Sequence, residues 1–217
     1  MAGPTVASIG ANTHTALATN LTLTLPGSLV AGNIIVGFIY SAQNGLTFTW
    51  PAGWTEIDKF NTATANDLSC SWAWYRVVAS NAAPNVSYVT STSCQGQLVQ
   101  VQSVSTSNPI GNFNKTNSDN GASSIFSGGS LSTAGVNSLV LDMEGSNSGT
   151  LATPAGYTAV AGPVNSLLLA SIAMASPGTT PAISYNQANA SAHDDFQVEI
   201  LAGPIPHPIS AGYFQGG

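Results

Sequence analysis

His193, Asp194 and Asp195 stand side by side with Glu199 four residues further on, a set of imidazole and carboxylate groups of the kind that ligates metal ions. A metal site needs further ligands converging from elsewhere. None stands at recognisable spacing, so the cluster reads as a polar turn before the final strand and no metal is expected. Asp142 and Glu144, two residues apart on one face of a strand, are a second candidate. Paired carboxylates can divide acid and base roles across a glycosidic bond, but only in a cleft and at a set separation; the pair reads as a solvated strand end. Ser118-Asp119-Asn120 matches one short element of the β-lactamase signature, but no SxxK accompanies it, which leaves it a loop. The chain contains no Walker loop, GxGxxG, HExxH, CxxC or GxSxG. No catalytic residue and no cofactor are therefore expected, and the chain does not read as an enzyme.

Trp50, Trp54, Trp72, Trp74, Tyr75 and Tyr88 could stack pyranose rings, with the many Asn, Gln and Thr side chains completing hydrogen bonds to hydroxyls. Against this, Trp72 and Trp74 correspond in the second half of the chain to Leu168 and Ala170, which favours core. Four Asn-x-Ser/Thr sequons begin at Asn20, Asn85, Asn114 and Asn189, about the number that so Ser/Thr-rich a chain yields by chance. The only two cysteines are Cys70 and Cys94. If strands over 69–79 and 85–94 form a hairpin centred on Ala82, the two face each other. A non-hydrogen-bonded pair has Cα atoms about 4.5–5.5 Å apart, within disulfide range. Such a bridge would contribute roughly 3 kcal/mol.

Charged residues make up 6% of the chain, against about a quarter in an ordinary soluble domain. With Lys+Arg 3, Asp+Glu 9 and a net charge of -6, the chain lacks the basic footprint that binds a nucleic-acid backbone, and no nucleic-acid partner is expected. No apolar run approaches the roughly 18 residues of a membrane-spanning helix, and the N-terminal residues show neither the basic nor the apolar region of a secretory signal. No membrane association is expected, and folding is expected in the cytosol. A cytosolic surface this poor in charge suits a protein built into an assembly.

The elements that position these residues are strands. Val, Ile, Thr, Tyr and Trp recur in short two-fold runs broken by Gly, Pro, Asn and Ser, and no amphipathic helix is evident. The halves echo one another in order: AGNIIVGFI with AGVNSLVLDM, PAGWT with PAGYT, WAWYRVVAS with LLASIAMAS, PNVSY with PAISY, and LVQVQ with QVEIL. Each half has one apolar face, which packing sheet on sheet would cover. The expectation is an all-β fold, one jelly-roll-like antiparallel β-sandwich built from two pseudo-repeated halves. Residues 1–20 form an N-terminal arm or first edge strand, 21–202 the sandwich (halves 21–113 and 120–202), and 203–217 a Pro-rich arm. The polar stretch 114–123 is expected to cross between the halves. Pro204, Pro206 and Pro208 favour an extended arm path, with Ile205, Ile209, Tyr213 and Phe214 as apolar anchors.

The frame GNIIVGFIY, PAGWTEI, WAWYRVVAS, PNVSYVTSTS and LVQVQSVSTSNPI resembles a family of roughly 200-residue β-sandwich domains in bacteriophage structural proteins and some bacterial surface proteins. It covers most of 20–201 and departs from the commoner form in VQSVSTSNPI, which lacks the usual Gly and Asp. The resemblance implies a virion component and transfers no active site. A capsid decoration or cement protein is the resulting expectation, located in the virion and partnered by the major capsid protein, other virion proteins or further copies of itself. The alternative is a tail or fibre module that binds carbohydrate.

Overall fold

The computed structural model describes residues 3–61, 68–79, 81–118, 125–146, 151–164, 167–186 and 193–203, with backbone alone at 117–118, 125–127, 162–164 and 185–186. The first strands are β1 (Thr5–Ile9), β2 (Thr13–Thr22), β3 (Ile34–Ser41), β4 (Phe48–Thr49), β5 (Thr55–Phe60), β6 (Ser69–Arg76) and β7 (Asn85–Gln102). They are followed by β8 (Ile110–Ser118), β9 (Ile125–Ser127), β10 (Ser132–Thr133), β11 (Ser138–Ser146), β12 (Thr158–Val164), β13 (Leu167–Met174), β14 (Gly178–Thr179), β15 (Ser184–Asn186) and β16 (His193–Ile200). The described residues contain no helix, so none of them offers a helix able to cross a membrane.

Two antiparallel sheets form a sandwich-like arrangement, as expected. One runs β5-β6-β3-β7, with β1 and β2 pairing along the far edge of β7 and β4 pairing on the same edge as β3, so that Ser87 lies between Asn20 and Thr49; the other runs β12-β13-β11-β16-β8. The strands matched in the sequence, β5, β6, β3 and β7 against β12, β13, β11 and β16, thus lie in the same order. The Pro-Ala-Gly-aromatic corners also match. Trp54 N–H donates to Pro51 O at 3.2 Å and Tyr157 N–H to Pro154 O at 3.1 Å. Gly53 and Gly156 sit at φ 90° and 88°, the left-handed third position that a type II turn reserves for glycine.

Alternation along the central strands sends one set of side chains between the sheets. Ile34, Val36, Phe38 and Tyr40 from β3 and Cys70 and Trp72 from β6 meet Leu139, Leu141 and Met143 from β11 and Phe196, Val198 and Ile200 from β16. Trp72 stacks on Phe196 with ring centroids 3.8 Å apart. Tyr40 donates across the gap to Ser146 O at 3.4 Å, and its ring lies against Gly145, where a Cβ would come within 3.2 Å of it. Lys115 of β8 reaches the first sheet, pairing with Asp58 at 2.8 Å and donating to Lys59 O at 2.9 Å.

Two expectations need correction. The hairpin of 69–79 with 85–94 does not form, because Val77 N–H bonds Asn33 O and the chain then passes across the end of β3, so β7 pairs on the other side of β3 from β6. Cys70 lies opposite Tyr40, which in turn lies opposite Gln95. With β3 between them, Cys70 and Cys94 are both buried free thiols on opposite faces of the sheet. Secondly, 110–118 is not the end of the first half or a crossing but a strand of the second sheet, paired with β16 from Ile110↔Ile200 to Ser118↔His193. Of the two readings of the N-terminal residues, the edge strand is the one observed: β1 and β2 pair along β7, Thr5 opposite Gln102 and Thr22 opposite Asn85.

Candidate functional site

The outward faces of the two sheets hold nearly all the side chains that could do chemistry. On the first, Leu21, Leu23, Ile35, Ile39, Leu46, Phe48, Val77, Val86, Tyr88, Cys94 and Leu98 form a second apolar cluster under the 23–30 and 42–54 segments. At its margin Trp50 stacks on Trp54 at 5.0 Å and Trp54 on Tyr75 at 5.6 Å, three half-buried rings in a row. The stack is set by the corner turn, which lifts Trp54 over β6, and by Gly37, where a Cβ would stand 2.7 Å from the Trp50 ring. The Trp50 indole donates to Ser71 Oγ at 2.8 Å. Trp72, by contrast, is wholly buried between the sheets, Tyr88 is buried under the loops, and Trp74 is half-buried below the Arg76 guanidinium at 5.7 Å.

The outward face of the second sheet is acidic. Register places Glu144 directly opposite Asp195 and Asp142 opposite Gln197, with His193 and Glu199 at the two ends of the same row. Asp142, Glu144, His193 and Glu199 are 0% exposed and Asp195 1%. The solvated strand end and the polar turn expected from the sequence are therefore both corrected: these residues belong to central strands covered on both sides. Leu151, Tyr157, Leu168, Ala170 and Ile183 pack beside them under a cover in which β10 pairs with β14 and β15 with β9.

Glu199 is well provided for. Its carboxylate accepts backbone N–H groups from Ala134 at 3.1 Å, Gly135 at 2.8 Å and Asn112 at 3.2 Å. Asp142 is not: neither of its buried oxygens accepts a hydrogen bond from a donor group, nor does Asp195 Oδ1. The groups that do reach Asp142 are the carboxyls of Asp195 and Glu144, and two carboxyls can share a hydrogen bond only through a proton. Burial, then the neighbouring Glu144 charge, pushes the Asp142 carboxyl well above the usual range; burial, then Asp142, does the same to Asp195. Burial also pushes the adjacent Tyr157 phenol up. Gln197 bridges face and cover, donating to Tyr157 Oη at 3.1 Å and to Gly129 O at 3.3 Å.

Asp194 points the other way, between the sheets, where the Cys70 thiol donates to its Oδ2 at 3.1 Å. Burial, followed by the Asp194 charge, raises the Cys70 thiol well above its ordinary pKa, so Cys70 is poorly suited to act as a nucleophile. His193, Asp194, Asp195 and Glu199 therefore do not form one constellation, and among the described residues no group of three or more His, Cys, Asp or Glu side chains is arranged to hold a metal ion. Sequence reasoning missed the carboxyl row because charge in HDDFQVEI suggests a turn; the signal that could have revealed it is the strict alternation of Phe196, Val198 and Ile200.

A shallow open groove of about 440 Å³ runs along the edge strand β8, lined by Asn112, Phe113, Asn114 and the 130–132 segment. Asn112 and Asn114 each donate a side-chain amide across it, to Ser132 O at 2.8 Å and Ser130 O at 3.2 Å. Phe113 is 46% exposed there. The arm residues Ile205, Ile209, Tyr213 and Phe214, as well as Asp119, Asn120 and Asn189, lie outside the described residues. The residues just before the arm are held in place: Leu201 N–H bonds Pro109 O, Gly203 N–H bonds Ser103 O, and Ala202 bridges Val104. Comparison with protein-family models, with curated proteins and with solved structures finds no match to this chain.

Proposed function

We propose that this chain is a non-enzymatic component of a bacteriophage particle, a decoration or cement protein that coats the capsid and is held by its C-terminal arm. The observation that carries the reading is the scarcity of charge and its use. The chain has three cationic side chains, and all are spent internally: Lys59 on Glu56, Lys115 on Asp58 and Lys59 O, and Arg76 on Gly32 O, Ser105 O and Thr106 O. Such a surface offers little to a charged substrate or a nucleic acid, and suits neutral contact with a neighbouring subunit. The closed carboxyl row supports the same reading, because no substrate reaches it through the described residues. The phage resemblance is carried by the sequence frame, and the matching strand orders and corners fit a supersecondary unit used twice.

The proposed arm follows Gly203, whose backbone is pinned to Ser103 O. Prolines reduce the entropy lost on ordering, and Ile205, Ile209, Tyr213 and Phe214 supply anchors. The test is to mix undecorated capsids with the full chain and with a version ending at Gly203, which keeps the bonds to Ser103 and Val104. Full-length protein should occupy the capsid in a fixed copy ratio with weak salt dependence, and the shortened one should not. Equal occupancy by the two would defeat the arm's role. A second reading, carbohydrate recognition, is favoured by the half-exposed Trp50, Trp54 and Tyr75 stack; glycan binding lost in Trp54→Ala would support it over capsid docking.

A further inference from the structure

The carboxyl row on the second sheet raises a charge problem that can be followed through the whole chain. Asp142, Glu144 and Asp195 sit within one two-strand patch, none of them more than 1% exposed. If all three were ionised they would need compensating positive charge in a medium where an unpaired ion is very costly. The sequence has three Lys and Arg side chains in all, and every one is bonded elsewhere. Of the histidines, His14 bonds Ser93 and His207 lies outside the described residues. That leaves His193, and even as an imidazolium it would offset one carboxylate of three. Backbone N–H donors, which hold Glu199, do not come to Asp142.

We propose that Asp142 and Asp195, set beside Glu144, form a proton-holding latch that keeps the cover of the second sheet closed in mildly acidic solution and releases it as the solution turns alkaline. The inference is independent of the capsid reading. Among the described residues the groups facing the latch are few. From β11 come Asp142 and Glu144 themselves, and from β16 His193, Asp195, Gln197 and Glu199. The segment before β12 contributes Tyr157, β13 contributes apolar Leu168 and Ala170, and Thr180 donates to Gln197 Oε1 at 3.4 Å. On β8 the facing residues are neutral, Asn112, Asn114 and Thr116. No cation stands among these groups apart from the imidazole of His193 when protonated.

Holding protons in the folded state fixes the sign. A carboxyl whose folded pKa lies above its unfolded value contributes stability that is fully present below the unfolded value, near pH 4, and is lost as pH rises through the folded one. Each proton released on opening changes the opening equilibrium by about tenfold per pH unit across that window. The cover is the part that gives way, because it is fastened by short ladders and a few bonds: Gln197 to Gly129 O and Tyr157 Oη, Leu131 N–H to Thr180 Oγ1, Thr180 N–H to Leu131 O, and Gly128 N–H to Ile183 O. The sheet beneath keeps its continuous ladders on both sides of β11.

Amide hydrogen exchange of the full-length protein between pH 5 and pH 9, corrected for intrinsic rates, tests the latch. Protection at Gly128, Leu131, Thr180 and Ile183 should fall by about tenfold per pH unit or more while that of β3 holds. In Asp142→Asn combined with Asp195→Asn the fall should vanish. If that variant does not fold, infrared spectra of the wild type at pH 7 decide, since the latch requires the carbonyl band of protonated carboxylic acids. Flat or rising protection with pH, or absence of that band, would overturn the proposal. So would protection at pH 9 that millimolar Ca²⁺ restores and EDTA removes, for the row would then hold a metal ion instead of protons.

Discussion

The two sheets present their outward faces to very different surroundings. The first buries Ile35, Ile39, Leu98 and Cys94 under Leu23, Leu46 and Phe48, hydrocarbon against hydrocarbon. The second, with its matched strands in the same order, buries Asp142, Glu144, Asp195, Gln197 and Glu199. Strand order therefore does not dictate what a covered face contains. On the apolar face, burial is itself the stabilising term and is indifferent to pH. On the acidic face each carboxyl must find donors or keep a proton, so stability depends on the solvent.

The contrast can be broken most forcefully on the apolar side. Leu98→Ala should cost about 2–5 kcal/mol by opening a cavity among Leu23, Ile39 and Trp50, and urea titrations at pH 5 and pH 8 should show the same loss. Within the acidic face, Glu199→Gln should destabilise by about 1–3 kcal/mol, because an amide replaces one oxygen acceptor of a carboxylate that takes three backbone N–H groups. Asp142→Asn, measured by the same titration at pH 8, should have the opposite sign; if both substitutions destabilise alike, the distinction between satisfied and unsatisfied carboxyls fails. Trp54→Ala should cost about 1 kcal/mol in thermal melts, since its ring is half-buried between Trp50 and Tyr75. Smallest of all, a reductant should leave the melting temperature unchanged, and the unreduced, denatured chain should titrate two thiols.

Much of the architecture was legible because local chemistry decided it. Two-fold alternation marked β3 and β11, and Pro-Ala-Gly-aromatic marked the two corners, where only glycine is comfortable at positive φ. The pairing was less legible. Nothing local tells β7 to pass β6 and join the other side of β3, and the hairpin that would have set Cys70 against Cys94 rested on sequence proximity alone. For the acidic face, the misleading cue was charge: Asp194 and Asp195 look solvent-seeking, and only tertiary context shows that one meets Cys70 and the other a second carboxyl.

The long strand β7 has a consequence for biosynthesis. Thr5 pairs with Gln102 and Thr13 with Gly96, so β1 and β2 have no ladder until a segment some ninety residues later has left the ribosome. At about 5–20 residues per second that delay is about 5–20 s. During this interval Val6, Leu21 and Leu23 belong to a nascent segment with strand-forming sequence and hardly any charge to keep sister chains on the same polysome apart. Expression yield should therefore respond to translation speed through residues 23–102, with faster elongation shortening the exposure and slower codons there sending more of the product into inclusion bodies.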